Sequence, residues 1–377
     1  SLAGPSILFI YMIIGLMVFL VMRALGELLL SNLQYKSFID FSTDLIGPWA
    51  GYFVGWTYWL CWITIGIADL SAIIYYLQFF NNGMPFTPLE GVLISVASII
   101  FITGLNLATV KLFGEMEFWF AMIKIIAIVV LIAVGAWMIF TGFTSTAGEV
   151  AAFSNLWSHG GMFPTGLGGF LAGFQIAIFA FVGVELVGTT AAETKDPEKN
   201  LPKAVNSIPI RIIIFYVLAL VIVMAVTPWS KIDPSISPFV NLFSQAGIAA
   251  AAIIMNLVVL SSVMSSMNSG VFSTSRMLFG LSRDEQGPKS FGKLNKRAVP
   301  ANALYFSTVC LLAGAALQYF VPNTVEAFTL ATTLSTILFI CVWLMIIWSY
   351  MVYYKTRPEL HAKSTFKLPG GLFTCWI

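Results

Sequence analysis

The chain alternates long apolar runs with short polar stretches. An apolar run of about 20 residues is long enough to cross the hydrocarbon core of a bilayer as an α-helix, and polar residues, prolines and glycines mark where such runs end. On this pattern we predict an all-α polytopic membrane protein with nine complete spans and the start of a tenth. The nine spans are residues 7–30, 49–80, 89–107, 118–140, 169–190, 208–226, 249–281, 301–320 and 325–353. The tenth starts near residue 368.

Composition supports the membrane assignment and narrows the chemistry. Apolar residues make up 59% of the 377 residues and charged residues 10%, a balance that no soluble domain could bury. His159 and His361, the two histidines, fall in predicted loops, which excludes a haem held by paired intramembrane histidines and an HExxH zinc site. The four cysteines lack CxxC spacing, which favours buried apolar side chains over disulfides or metal ligands. No nucleophile–histidine pair or metal cluster indicates a membrane enzyme.

Basic residues are distributed unequally between the two sides of the predicted spans. Of the 19 lysines and arginines, Lys124 lies within a span, Lys231 lies on one side, and the remaining 17 lie on the other. Because cytoplasmic loops carry the excess of Lys and Arg, the side with 17 is cytoplasmic and Ser1 lies outside. We therefore expect a multi-pass protein of the cytoplasmic (inner) membrane. No signal peptide is visible, and we expect at least one further span before Ser1.

The fifth predicted span carries an unusual polar interruption. Gly183 stands between Val182 and Val184, and Glu185 follows. A carboxylate inside a hydrophobic span is costly, and unwound backbone at membrane depth persists only where it lines a cavity buried in protein. We predict a broken helix that helps to form a solute site near the middle of the membrane. The alternative is a kinked packing helix whose Glu185 pairs with a neighbouring helix.

Lys124 lies inside the fourth predicted span, six residues after its start. An ammonium group is costly at that depth, so we predict that Lys124 exchanges a proton and couples solute movement to the proton gradient. The alternative is a lysine fixed in a structural ion pair. Glu117, seven residues earlier, lies too far along the helix to pair directly with Lys124. A proton relay through Glu117 is only weakly indicated. For Asp69, in the second span, an outer-gate or packing role is favoured over substrate contact.

Small and hydroxyl side chains recur along the seventh span, among them Ser265 and Ser269, and a similar cluster in the ninth span includes Thr332. Such faces line a polar pathway or pack closely against another helix, and for each single hydroxyl packing is the favoured alternative. The mixed charges of residues 193–202 indicate either a solvated loop or a gate that forms and breaks ion pairs.

Four stretches resemble one known family. They are Gly-Pro-Trp-Ala-Gly-Tyr-Phe-Val-Gly-Trp at 47–56, Phe-Gly-Glu-Met-Glu-Phe-Trp-Phe-Ala-Met-Ile-Lys at 113–124, Glu-Thr-Lys-Asp-Pro-Glu-Lys-Asn-Leu-Pro at 193–202 and Phe-Ser-Thr-Ser-Arg-Met-Leu-Phe-Gly at 272–280. They resemble the bacterial amino-acid permeases of the amino acid–polyamine–organocation superfamily, in order along the whole chain. The resemblance implies a LeuT-like fold with a five-plus-five inverted repeat, twelve spans, and broken first and sixth helices.

The family register assigns roles to particular residues. The first predicted span corresponds to the family's second helix and the fifth to its sixth. Phe181, Val182, Gly183, Val184 and Glu185 then match the unwound part that binds the substrate's amino and carboxylate groups and carries an aromatic gate. Lys124 matches a lysine proposed as the proton site in related transporters. We expect the family's first helix, the end of its eleventh helix and its twelfth helix to lie outside residues 1–377.

These observations predict a single transporter domain, residues 1–377, and a proton-coupled symporter. The resemblance implies a small zwitterionic amino acid such as glycine, D-alanine or D-serine as the cargo, and a broken helix can bind a zwitterion without fixed charges. A broader permease, an exchanger and a non-transporting amino-acid-binding membrane protein remain alternatives. The expected partners are the amino acid, protons and the lipid bilayer. We expect no nucleic-acid partner, no metal and no cofactor, the proton gradient being the driving force.

Overall fold

The computed structural model describes residues 3–35, 37–107, 110–145, 148–189, 196–233 and 236–376. The regular secondary structure in this part of the chain is helical, which confirms the predicted all-α class. The α-helices are α1 Ile7–Ser31, α2 Phe38–Leu45, α3 Pro48–Gln78, α4 Pro88–Asn106, α5 Val110–Thr141, α6 Gly166–Phe179, α7 Leu186–Thr189, α8 Pro197–Asn206, α9 Ile208–Ile212, α10 Ala219–Val226, α11 Pro238–Gln245, α12 Ala249–Arg283, α13 Ala301–Phe320, α14 Thr324–Thr356 and α15 Pro358–Lys363. A π-helical turn, Ile213–Leu218, joins α9 to α10.

Eight helical segments of the described chain are long and apolar enough to cross a membrane. They are Gly4–Ser31, Pro48–Asn81, Pro88–Asn106, Phe118–Thr141, Pro197–Val226, Ala250–Arg283, Ala301–Phe320 and Thr324–Thr356. These correspond to eight of the nine predicted spans. The predicted span at 169–190 is the exception, because it is interrupted after the shorter helix α6. The segment predicted to start a tenth span contains a short 3-10 turn, Thr374–Trp376.

The chain forms two compact units, each built from separate stretches of sequence. The first unit comprises residues 1–8, 62–173 and 217–335. In it α4 packs against α13, and α12 packs against α5, α11 and α13. Small residues permit close approach, since Gly66 and Gly314 lie against the side chains of Leu311 and Leu70. A second cluster of apolar side chains, including Ile222 and Leu242, is buried between α5, α10, α11 and α12.

The second unit comprises residues 9–61, 174–216 and 336–377. It contains α1, the first part of α3, the interruption after α6, and most of α14. The side chain of Ile212 lies against Gly15 of α1, and the hydroxyls of Ser42 and Ser349 lie 3.2 Å apart. The prediction that residues 1–377 form one transporter domain stays a prediction.

The segment between α1 and α3 is fixed by local polar contacts. Ser37 and Asp40 form a capping box that begins α2, and each satisfies a backbone N–H of the first turn. Tyr35 donates a hydrogen bond to Asp44, which also pairs with Arg357 at 2.8 Å. Burial and the neighbouring carboxylate raise the pKa of Tyr35 to about 12, so its hydroxyl keeps its proton and remains a donor.

Candidate functional site

The helix at the centre of the predicted solute site is interrupted where the sequence indicates. Helix α6 ends at Phe179, residues 180–185 form turns, and α7 begins at Leu186. Gly183 has a φ of +95°, in the left-handed region that L side chains rarely adopt. A glycine is therefore required at this position, because a Cβ would strain the backbone.

Glu185 folds back onto this interruption. Its side chain is completely buried. The Gly183 N–H donates to both carboxylate oxygens, at 3.1 and 3.2 Å. The hydroxyl of Tyr58 donates to one oxygen at 3.3 Å, and the indole N–H of Trp343 donates to the other at 3.5 Å. Each of these donors is neutral. The carboxylate thus holds its own loop in shape while it joins that loop to α3 and α14.

Aromatic side chains surround the other end of the interruption. Phe181 is 1% exposed and stacks on Tyr216, with ring centroids 5.1 Å apart and an interplanar angle of 17°. Tyr11 of α1 contacts both rings at 5.6 Å. The Tyr216 hydroxyl donates to the carbonyl oxygen of Ala180 at 3.0 Å. Val182 and Val184, between the two anchored ends, are partly buried.

Sequence reasoning did not find Tyr11, Tyr58, Tyr216 or Trp343. They are aromatic residues of apolar runs, among 12 tyrosines and 11 tryptophans in the chain, and nothing in their local sequence distinguishes them. Of the residues in this site, only Gly183 and the acid two positions later, Glu185, can be recognised in the sequence. The four aromatic residues contact partners far away along the chain, so these contacts appear only after folding.

In the first unit, Lys124 of α5 lies next to Ser265 of α12. Its ammonium is 3.3 Å from the hydroxyl of Ser265. Asp69 of α3 forms a hydrogen bond with Ser266 and interacts electrostatically with Lys124. Asp69 is only 8% exposed and Ser265 only 1%. Sequence reasoning had placed Asp69 in an outer-gate or packing role and had not connected it with Lys124; the structure places the two side chains within electrostatic range of each other.

The other predicted pathway residues satisfy their own helices. The hydroxyl of Ser269 donates to the carbonyl of Ser265 at 3.0 Å, and that of Thr332 donates to the carbonyl of Thr329 at 3.1 Å. Hydroxyls bonded in this way fit the packing alternative as well as a pathway lining, so both assignments stay predictions.

Part of the predicted charged gate is helical. Residues 193–195 and the side chain of Glu117 lie outside the part of the chain that the structure describes. From Pro197 onward the gate sequence forms α8, with Pro197 in the first turn, where proline is tolerated. Within the described ranges, no group of three His, Cys, Asp or Glu side chains could hold a metal ion.

Comparison with known proteins adds a family match. A model of the family described as "Amino acid permease" matches residues 1–377. The chain is 62% identical to the D-serine/D-alanine/glycine transporter of Escherichia coli (strain K12), over all of this chain and 79% of that protein. It is 50% identical to the amino-acid permease AapA of Bacillus subtilis (strain 168), over 97% of this chain and 78% of that protein. It is 38% identical to the probable threonine/serine transporter YbxG of the same strain, over all of this chain and 80% of that protein.

Proposed function

The chain belongs to the amino acid permease family and is an amino-acid transporter rather than an enzyme, and on that premise we propose that it is a proton-coupled symporter. Its substrates are small zwitterionic amino acids such as glycine, D-alanine and D-serine, imported across the cytoplasmic (inner) membrane. The name of the 62% identical relative supports this substrate class. The name of the 38% identical relative keeps a broader range, including threonine, as the alternative.

The observation that carries the proposal is the interruption at Gly183 with both of its ends anchored. A helix that stops inside the membrane leaves N–H and C=O groups without helical partners. The N–H groups of Phe181, Val182 and Val184 donate to carbonyl groups within the turns. We therefore assign the ammonium of a zwitterionic substrate to the carbonyl oxygens of this segment, each of which can accept two hydrogen bonds and none of which carries a fixed charge. Because Glu185 is already engaged by Gly183, Tyr58 and Trp343, we assign substrate binding to the backbone of residues 181–184 and give the Glu185 carboxylate the role of support.

The proton site of the proposal is the pair Lys124 and Asp69. A charge buried in hydrocarbon is tolerated when an opposite charge and hydrogen bonds accompany it. Ser265 supplies a hydrogen-bonding group to Lys124, and Asp69, which forms a hydrogen bond with Ser266, lies within electrostatic range. Loss of the proton from Lys124 leaves Asp69 without a cationic partner and changes the polar contacts that join α3, α5 and α12. A protonation step can thereby alter helix packing.

Uptake into proteoliposomes tests the proposal. The purified protein is reconstituted, a pH gradient is imposed, and uptake of radiolabelled glycine, D-alanine, D-serine and L-threonine is measured. We expect gradient-driven accumulation of the first three. Replacement of Lys124 by Ala should abolish accumulation, whereas Lys231→Ala, which removes an exposed lysine that pairs with Glu149 in an outer loop, should not.

Three results would contradict the proposal in different ways. Accumulation that ignores the gradient but depends on an amino acid on the opposite side would indicate an exchanger. Strong uptake of L-threonine, equal to that of glycine, would indicate a broader permease. Saturable binding without uptake of any of the four would indicate a membrane protein that binds amino acids but does not transport them.

A further inference from the structure

The helical segment formed by α8, α9 and α10 contains a local irregularity that contacts the interruption after α6. Residues Ile213–Leu218 form a π-helical turn between α9 and α10. Such turns are rare, form mostly within α-helices, and are frequently found at functional sites, because the wider turn re-aims a side chain. Tyr216 lies in this turn. Through Tyr216, this irregular segment contacts the interruption after α6.

Tyr216 makes two separate contacts with the interruption. Its hydroxyl donates to the Ala180 carbonyl at 3.0 Å, and its ring stacks on Phe181 at 5.1 Å. Ala180 directly follows the end of α6, where carbonyl groups lose their helical partners. The hydroxyl supplies the donor that the missing turn of helix would have provided. The ring contact then fixes the next residue, which is almost completely buried.

The two ends of the interruption are thus held by different groups. Tyr216 holds the Ala180–Phe181 end, and the Glu185 carboxylate holds Gly183 through its N–H. These two anchors hold the segment to which we assign substrate binding, residues 181–184. A segment held in this way keeps its carbonyl groups aimed before the substrate arrives, which lowers the cost of ordering them on binding.

We propose that Tyr216, presented by the π-helical turn, is a positioning residue for the transport site. It acts through the Ala180 carbonyl and the Phe181 ring and does not itself contact the amino acid. This inference rests on the proposed function, since it concerns the same backbone. It adds a residue and a backbone device, the π turn, that determine how well the interrupted helix is preorganised.

The first test compares Tyr216→Phe with Tyr305→Phe. The first variant keeps the ring and removes only the hydroxyl, and the second is a matched control at an exposed tyrosine of α13. Loss of a hydrogen bond to a partly buried carbonyl corresponds to about a tenfold effect on binding. We expect the KM for glycine uptake to rise about tenfold in Tyr216→Phe, with the maximal rate and the melting temperature close to those of the unmodified protein. Tyr216→Leu, which also loses the stacked ring, should raise KM further.

A merely structural tyrosine would give a different pattern. It would lower the melting temperature and the amount of folded protein while leaving the KM of the folded fraction unchanged. That result, or an unchanged KM with an unchanged melting temperature, would overturn the proposal.

The second test does not depend on transport. Hydrogen–deuterium exchange of the protein in nanodiscs, followed by mass spectrometry, reports the opening of the peptide that covers residues 178–186. We expect faster exchange of this peptide in Tyr216→Phe than in the unmodified protein, and no change in Tyr305→Phe. Equal exchange in all three proteins would overturn the positioning role even if uptake failed throughout. Faster exchange together with no uptake by the unmodified protein would leave Tyr216 as the anchor of the interruption and reject the proposed function alone.

Discussion

Glu185 and Glu27 are two completely buried carboxylates in the same compact unit, and they are held in different ways. The partners of Glu185 are neutral, and the nearest is the N–H of Gly183, two residues away. Glu27 of α1 accepts hydrogen bonds from the hydroxyl of Tyr350 at 3.0 Å and the N–H of Leu368 at 2.7 Å. It also lies 2.6 Å from Nδ1 of His361, the third group in contact with its carboxylate.

The difference lies in what each carboxylate connects. Glu27 ties α1 to a segment more than 320 residues later in the chain, which includes the end of α14 and helix α15. One turn before it, Arg23 lies 3.8 Å above the ring of Phe366 and reinforces the same junction. Glu185 mainly determines the conformation of its own loop. We conclude that Glu27 supports the stability of the unit, whereas Glu185 supports the shape of a site.

The largest effect on stability should come from Glu27→Gln. The carboxamide turns an NH₂ group toward donors that need an acceptor. The variant also loses two hydrogen bonds to a charged acceptor, from Tyr350 and Leu368, each contributing about 1.5–3 kcal/mol, together about 3–6 kcal/mol. We expect a loss of that size in the free energy of unfolding, measured by titration with SDS in mixed micelles. Glu326→Gln, at an exposed position of α14, is the control and should change it by less than about 0.5 kcal/mol. An equal change in the free energy of unfolding of the two variants would contradict the role of Glu27 in joining α1 to the later segment.

Glu185→Gln should instead damage transport more than stability. The Gly183 N–H would lose its charged acceptor, and hydrogen bonds to charged groups contribute about 1.5–3 kcal/mol. We expect glycine uptake to fall roughly ten- to hundredfold, with a smaller loss in the free energy of unfolding than in Glu27→Gln. Uptake and unfolding are measured on the same preparations. A variant that is as unstable as Glu27→Gln, yet transports normally once folded, would reverse the assignment of the two acids.

Tyr58→Phe should give the smallest effect. The ring of Tyr58 is buried in edge-to-face contacts with Phe38 and Phe339, at 4.8 and 6.0 Å, and phenylalanine preserves them. Only the hydroxyl that donates to Glu185 is lost, which corresponds to about 1 kcal/mol. We expect uptake to fall severalfold with little change in unfolding. An effect as large as that of Glu185→Gln would show that Tyr58, and not the Gly183 N–H, is the main support of the carboxylate.

Much of the fold could be predicted from the sequence because each membrane span must be a long run of apolar residues. Span positions follow from apolar length, and the interruption follows from Gly183 and Glu185, two residues that an uninterrupted membrane helix disfavours. Lys124 was equally visible, as a charge at membrane depth. The segment from Pro197 was interpreted as a loop because it is charged and contains two prolines, yet Pro197 occupies a first turn that accepts proline.

The remaining features depend on contacts between distant parts of the chain. The electrostatic interaction of Asp69 with Lys124 joins residues 55 positions apart in the chain, which no local pattern indicates. Tyr216 and Trp343 are apolar-run aromatics whose hydrogen bonds reach other helices. The π turn leaves no trace in composition, because its residues are as apolar as those of the α-helix on either side.

The π turn also changes the phase of the helix that contains it. Before the turn, Ile212 lies against Gly15 in one compact unit; after it, Ile222 lies against Gly135 in the other. Each residue of an α-helix advances the side-chain direction by about 100°, and a wide turn adds a smaller step per residue. One helical segment therefore contributes side chains to the core of each compact unit. The π turn, Ile213–Leu218, changes which face of the helix the later side chains occupy. Deleting a single residue there would rotate every later side chain by about a quarter turn, so the length of this segment is constrained as well as the identity of Tyr216.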